Sequence, residues 1–227
     1  MIICNPLKII FVKTKKTAGT SFEIALSKFC ESNCVITPLT PNDEALRKSL
    51  GFRTAQNYKN IYWREYRLKT HGMFSSHISA SILCETIPKE IWNNYKKITI
   101  FRNPFETIIS KYFWRGGEKT GMNFSNFVKK NKSLLKDNLR IAPLKGKSKL
   151  DFYLKYENIE EDLQSLKLKK LYDVFKNIYA KGNTRPKNIS SANLYKANSD
   201  IISIIEDECK DEIEYFGYNL PKYNYII

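Results

Sequence analysis

The sequence predicts a three-layer α/β domain over residues 1–227, with a mostly parallel central sheet of four to five strands flanked by helices. Three observations carry this. Residues 9–12 (IIFV) and 97–101 (KITIF) are short, β-branched apolar runs of strand length. Each gives way, after a few polar residues, to apolar residues at helical spacing: Phe22, Ala25, Leu26 and Phe29 after the first, and Ile108, Ile109, Tyr112 and Phe113 after the second. A third run, residues 152–156 (FYLKY), precedes an acidic-led stretch suited to a helix N-terminus. Strands that alternate with helices pair in parallel.

The elements follow in order. MIICNPLKIIFV lacks a basic region before its apolar part and reads as a strand, not a signal peptide. With no run near the ~18 apolar residues of a membrane span, the chain is expected to be soluble and cytoplasmic. Residues 34–37 form a short strand closed by Pro38 and Pro41, and residues 42–66 read as an irregular surface insertion. Residues 66–72 form a strand leading into a loop at His71. Ser75 and Ser76 are N-cap residues for a helix from about 77 to 84, and Pro88 opens another through Trp92. After strand 97–101, Asn103, Pro104 and Glu106 give an N-cap, a first-turn proline and a capping-box spacing. A short helix is predicted over 124–130, and helices over 157–168 and 171–178. A last helix is predicted over 199–216, with Ile201, Ile205, Cys209, Ile213 and Phe216 along one face and Glu206, Asp207, Asp211, Glu212 and Glu214 largely off it. Gly217 is its C-cap.

The formal charge is +15. Residues 1–150 hold 27 Lys and Arg against 10 Asp and Glu, whereas residues 151–227 hold 11 against 13. The excess, which includes a basic run from Lys129 to Lys149, points to an anionic ligand or polymer. The alternative is a solvated surface. Five scattered cysteines without a C-x-x-C pair, and only two histidines, favour free thiols over a zinc site.

The segment Lys8–Phe22 (KIIFVKTKKTAGTSF) is a strand, a tight turn and a helix start. Unpaired N–H groups in a first helical turn, with the helix dipole behind them, favour an anion. Gly19 lets the backbone approach it, Thr17 and Ala18 complete the turn, Thr20 and Ser21 offer hydroxyls, and Lys16 adds a mobile charge. The turn is not the common G-x-x-x-x-G-K-[ST] loop. Arg102, at the end of strand 97–101, and Ser110, eight residues on, suit a second anion, unless Arg102 serves a structural ion pair. His77 follows a strand, where α/β folds place reactive groups; its alternative is a hydrogen-bonded surface histidine.

Two anion sites suggest a ligand with two separate anionic groups, and a nucleotide carrying both a 5′ and a 3′ phosphate fits. Here the residues resemble the sulfotransferases that use 3′-phosphoadenosine 5′-phosphosulfate (PAPS), particularly their carbohydrate, heparan-sulfate 2-O-sulfotransferase-like branch. Lys16-Thr-Ala-Gly-Thr-Ser-Phe22 is similar to the family's 5′-phosphosulfate loop. Arg102-Asn-Pro-Phe-Glu-Thr-Ile-Ile-Ser110 is similar to its 3′-phosphate motif. His77-Ile-Ser resembles the catalytic-base segment, and Leu154–Asp162 the YE-[ND]-L strand and helix. Asn188-Ile-Ser190, with a final helix ending Phe216-Gly-Tyr218, resembles the C-terminal pattern. Lys15 stands where the family has Pro, Asn103 where Asp is common, and Arg185 near a frequent His.

The resemblance implies a P-loop-like fold, PAPS as donor and its desulfated product PAP. Lys16 and His77 would be catalytic, with Lys16, Thr17, Ala18, Gly19, Thr20, Ser21, Arg102, Ser110, Lys187 and Ser190 binding the nucleotide. The acceptor would be a hydroxyl on a carbohydrate, an acidic glycan being what the basic surface suggests, with no metal, specific nucleic acid or membrane span expected. His71 is the rival base. Two other readings stay open: a divergent nucleotide-dependent kinase, and a non-catalytic basic module that binds RNA or another polyanion.

Overall fold

Asn5 and Pro6 split the first apolar stretch into a hairpin. In the computed structural model, which describes residues 1–59, 73–180, 185–186 and 188–221, β1 (Ile2–Cys4) and β2 (Ile9–Phe11) pair antiparallel with Ile3 opposite Ile10. The turn closes through Lys8 N–H to the Asn5 carbonyl at 3.1 Å, with Lys8 at φ 50°. Thus the first run holds two strands, not one. The chain continues through α1 (Gly19–Ser27), β3 (Val35–Ile36), α2 (Pro41–Ser49), α3 (Ala80–Thr86), α4 (Lys89–Asn94) and β4 (Lys96–Phe101). Then come α5 (Pro104–Trp114), α6 (Phe124–Lys130), α7 (Asp137–Ile141), β5 (Phe152–Lys155), α8 (Ile159–Ser165) and α9 (Lys169–Phe175). The last helices are α10 (Ser191–Ala197), α11 (Ile202–Glu208) and α12 (Lys210–Phe216).

The α/β class holds, with five strands in the order β3-β1-β2-β4-β5. The sheet is mixed: β2–β4 and β4–β5 are parallel, whereas β1 runs antiparallel to both β2 and β3. β1 alone is reversed, because a tight hairpin joins it to β2 and can join only antiparallel strands; β3, reached from β2 through α1, runs in the same direction as β2, β4 and β5. Among the described residues no helix is long and apolar enough to cross a membrane.

The chain forms two compact units, Met1–Phe101 with Asn138–Ala180, and Arg102–Asp137 with Lys181–Ile227. In the first, alternate strand residues Ile2, Cys4, Ile9, Phe11, Ile98, Ile100 and Leu154 pack with Phe22 and Leu26 of α1, Leu163 of α8, and Leu171 and Phe175 of α9. The Phe22 ring lies 4.5 Å from that of Phe11 and 5.8 Å from that of Phe175. Each such ring contributes roughly 1.5–3 kcal/mol by leaving water. In the second unit, Phe105, Ile109 and Tyr112 of α5 pack with Phe124, Phe127, Tyr195, Ile205 and Cys209.

Several expected elements are corrected. Residues 41–49 are helical because Pro41 starts the turn, Asp43 and Glu44 lie at its N-terminal end, and Arg47 and Lys48 at its C-terminal end. The helix expected from 77 starts at Ala80, because Ser79 and not Ser75 or Ser76 is the N-cap, accepting from Ile82 N–H at 3.4 Å. The last helix is a 3₁₀ turn (Ser199–Ile201) followed by α11 and α12, which break at Cys209. Glu212, expected largely off the apolar face, is 2 % exposed. Gly217 caps α12 at φ 64° as expected. The strand expected over 66–72, and His71 with it, lie outside the described residues.

Candidate functional site

Strand β2 delivers the loop that the sequence singled out. Val12 N–H still donates to the Ile98 carbonyl at 2.9 Å, and Thr99 Oγ1 donates back to the Val12 carbonyl at 2.8 Å. Beyond that point the Thr14 hydroxyl bonds the Ile100 carbonyl and lies 2.8 Å from Thr17 Oγ1. The loop is thereby fixed to the carboxyl end of β4. Asn138 brackets Lys15 from the other side, accepting from its N–H at 2.8 Å and donating to its carbonyl at 3.2 Å.

Lys16 and Ala18 both adopt left-handed backbone, at φ 62° and φ 60°. For residues with a Cβ this conformation costs of order 1–3 kcal/mol each. Alternation of handedness along a turn directs successive N–H groups into an anion-binding concavity. Ala18 is the residue before α1 and makes no side-chain cap, so the first N–H groups of a nine-residue helix meet this turn without a side-chain acceptor from the cap position.

Burial sorts the loop's lysines. Lys13, which the sequence reading passed over, is 5 % exposed and reaches Glu23 Oε2 at 2.6 Å. Glu23 also pairs with the Met1 ammonium, whose other partners are Thr37 Oγ1 at 2.9 Å and the Ser76 carbonyl at 3.1 Å. Burial pushes the Glu23 carboxyl up, but the two ammonium groups outweigh it and hold the pKa below the usual range. Gly19 serves this arrangement, because a Cβ there would lie 2.8 Å from Lys13 Cγ. Lys16 and Ala18 are half-buried at the turn. Thr17 is fully buried and its hydroxyl is engaged inward, whereas Thr20 is 8 % exposed. Ser21 Oγ accepts from Ala180 N–H at 3.1 Å.

His77 lies in the turn before α3, and its Nδ1 is 3.0 Å from the Lys13 carbonyl oxygen. A carbonyl only accepts, so Nδ1 carries the proton and the neutral ring keeps its lone pair on Nε2. Burial lowers the pKa to about 4, the Lys13 carbonyl bond opposing it. The imidazole is therefore neutral at pH 7.

In the second unit, Asn103 caps α5 by accepting from Phe105 N–H at 3.0 Å. The Glu106 carboxylate, at the capping-box spacing from Asn103, takes Arg102 Nη2 at 3.5 Å, Arg185 Nη1 at 3.2 Å and the Ser191 hydroxyl. The ion pair weighed for Arg102 thus exists, at a long separation. Arg185 also grips the Ile189 carbonyl at 2.6 Å, tying its loop to α5. Ser110 is half-buried on α5. Ser190 is the N-cap of α10, accepting from Asn193 N–H at 3.1 Å. Lys187 lies outside the described residues.

Sequence reasoning missed Lys13, Glu23, Thr14 and Asn138 around the loop. It also missed the convergence of Cys4, Cys30 and Cys34, all buried, with sulfur atoms within 4.8 Å of one another. Compared with protein-family models, curated proteins and solved structures, the chain matches none.

Proposed function

We propose that the protein is a PAPS-dependent sulfotransferase that moves a sulfuryl group to an acceptor hydroxyl on a carbohydrate. The observation that carries this reading is the left-handed turn Lys16–Ala18 between a parallel strand and the start of α1. It suits the 5′-phosphosulfate, whose oxygens would meet backbone N–H groups and the Lys16 ammonium. The resemblance assigns Arg102 and Ser110 to the 3′ phosphate.

In the reaction, the acceptor oxygen attacks sulfur as the bond from sulfur to the bridging phosphate oxygen breaks. His77 Nε2 takes the acceptor proton, and Lys16 offsets the charge that develops on the departing phosphate. Positioning and charge stabilisation carry most of the rate, as in phosphoryl transfer. The bond from His77 Nδ1 to the Lys13 carbonyl supports the assignment of the base, because it fixes both tautomer and ring direction.

The test is calorimetric binding of PAP, 5′-AMP and ATP to the wild type and to Arg102→Ala, followed by an acceptor screen with PAPS. PAP bound at micromolar affinity, and weakened by loss of the 3′ phosphate or of Arg102, is the expected result. A preference for ATP, or no nucleotide binding by folded protein, overturns the reading. Salt-sensitive RNA or polyanion binding without PAP affinity would establish the non-catalytic module in its place.

A further inference from the structure

The three clustered cysteines lie at the other end of α1 from the anion turn. Cys4 closes β1, Cys30 follows α1, and Cys34 immediately precedes β3. Three sulfur atoms within 4.8 Å of one another is the spacing of a shared ligand set. Ordinary core packing explains buried thiols one at a time. It does not explain the treatment of the Cys34 sulfur, which accepts N–H bonds from Asn5 at 3.3 Å and Glu31 at 3.2 Å and has the Asn33 Oδ1 oxygen further off, at 3.8 Å. Two backbone donors aimed at one sulfur favour a thiolate, the form that ligates metals. Cys30 is 6 % exposed and borders a surface pocket with Lys28, Leu50, Gly51, Phe52 and Arg53.

We propose that Cys4, Cys30 and Cys34 form a binding site for a soft, low-coordinate cation of the monovalent copper kind. Thiolates select such ions, whereas structural zinc takes four ligands. Among the described residues the grouped donors are these three sulfurs alone, with no His, Asp or Glu in the set. The site departs from the expectation drawn from chain spacing, because Cys4 comes from a separate strand and leaves no C-x-x-C signature. Bound metal would tie the β1 and β3 edge of the sheet to the end of α1. The assignment does not depend on the nucleotide reading.

The test titrates the reduced, full-length protein anaerobically with Cu⁺ and, separately, with Zn²⁺. Native mass spectrometry gives the stoichiometry, and X-ray absorption of the wild-type complex gives the metal's neighbours. We expect one Cu⁺ per chain with three sulfur neighbours. Affinity should fall more than ~100-fold in Cys34→Ala, beyond what loss of a supporting residue costs, and stay unchanged in Cys84→Ala, which lies outside the cluster. No retained Cu⁺, fewer than three sulfur neighbours, or equal binding by Cys34→Ala would overturn the proposal. So would retention of Zn²⁺ alone, or isolation of the chain with two of these cysteines joined as a disulfide. The absorption measurement uses only wild-type protein, so a misfolded variant does not blunt the test.

Discussion

Gly19→Ala sets two opposing effects against each other at the start of α1. Alanine is the better helix former, worth up to about 1 kcal/mol in a helix interior and less in the first turn. The new Cβ, however, would lie 2.8 Å from Lys13 Cγ and 3.4 Å from the Thr14 carbonyl oxygen. Lys13 cannot swing aside cheaply: the contact falls on the near end of a buried side chain whose Nζ is held at 2.6 Å from Glu23. Overpacking of this kind costs about 1–3 kcal/mol. The net expectation is a loss of about 1–2 kcal/mol, which lowers the urea midpoint by roughly 0.5 M at an ordinary denaturant slope. Lys13→Ala removes the clashing atom, at its own cost of about 3–5 kcal/mol for leaving Glu23 without one of its cations. In that background Gly19→Ala should become neutral or mildly stabilising. A double-mutant cycle by urea unfolding at pH 7 reads the coupling directly. If Gly19→Ala is as stable as the wild type, or costs the same with and without Lys13, then the glycine is not there to let the lysine pass.

Three further outcomes follow from the two units. His77→Ala should lose about 10²–10⁴ in turnover while still binding PAP; full turnover in this variant, with loss in His71→Ala, would transfer the base role to His71. Glu212 is buried with Oε1 unpartnered among the described residues, and burial raises its pKa to about 8, opposed by Lys111. The native state then binds the extra proton between about pH 4.5 and 8, so Glu212 weakens the fold as pH rises through that window. Glu212→Gln should match the wild type below pH 4.5 and exceed it by a few kcal/mol near pH 8, roughly 2–4 after allowance for relaxation. His77 acts in the opposite sense, favouring the fold as pH rises from about 4 to 6.5, but cancels when variant and wild type are compared at each pH. A constant difference across the range would refute a protonated Glu212. Glu106→Gln weakens the contacts to Arg102 and Arg185 and should destabilise the second unit by about 1–3 kcal/mol; unchanged amide exchange around α5 and α10 would show the contacts to be energetically idle.

What was legible in the sequence was local. Strand 97–101 and the Asn103-Pro104 start of α5 carry their own apolar run and cap, and the structure keeps both. The β1–β2 hairpin was hidden because two three-residue strands around Asn5-Pro6 look like one interrupted apolar run. Helix α2 was hidden because Ala45 and Leu46 are its only apolar residues after Pro41, although its capping and charge signals were present. The break at Cys209 has no local marker. At the candidate site, the left-handed turn and Gly19 fell within the segment singled out. The reason for the glycine did not, since it depends on the path of Lys13 toward Glu23, ten residues away, and no spacing rule encodes that path. Asn138 lies 123 residues from the backbone it holds.

The basic excess changes meaning once burial is considered. Lys13, Arg47, Lys97 and Lys111 are 0–7 % exposed, and each has a partner inside its own unit. These are Glu23 for Lys13, Glu44 for Arg47 at 2.8 Å, the Trp92 carbonyl and Asp151 for Lys97, and the Leu134 carbonyl and Asp137 for Lys111. Within the basic run, Lys129 and Lys136 are matched to Asp200 at 2.5 Å and Glu208 at 2.7 Å. A cation with its own carboxylate contributes little field at a distance, so a count of +15 overstates what an approaching polymer meets. For RNA or another polyanion to be the main ligand, many unmatched surface charges would have to act together, and affinity would fall steeply with salt. A small nucleotide with two phosphate groups needs only a few well-placed donors, and the turn at Lys16–Ala18 with the start of α1 suits one of those groups through backbone N–H groups, which salt screens far less. The ratio of affinities at low and high salt, measured for PAP and for RNA in turn, therefore separates the two ligand classes: tight PAP binding with a shallow dependence supports the nucleotide, and RNA binding with a steep dependence and no PAP affinity supports the polymer.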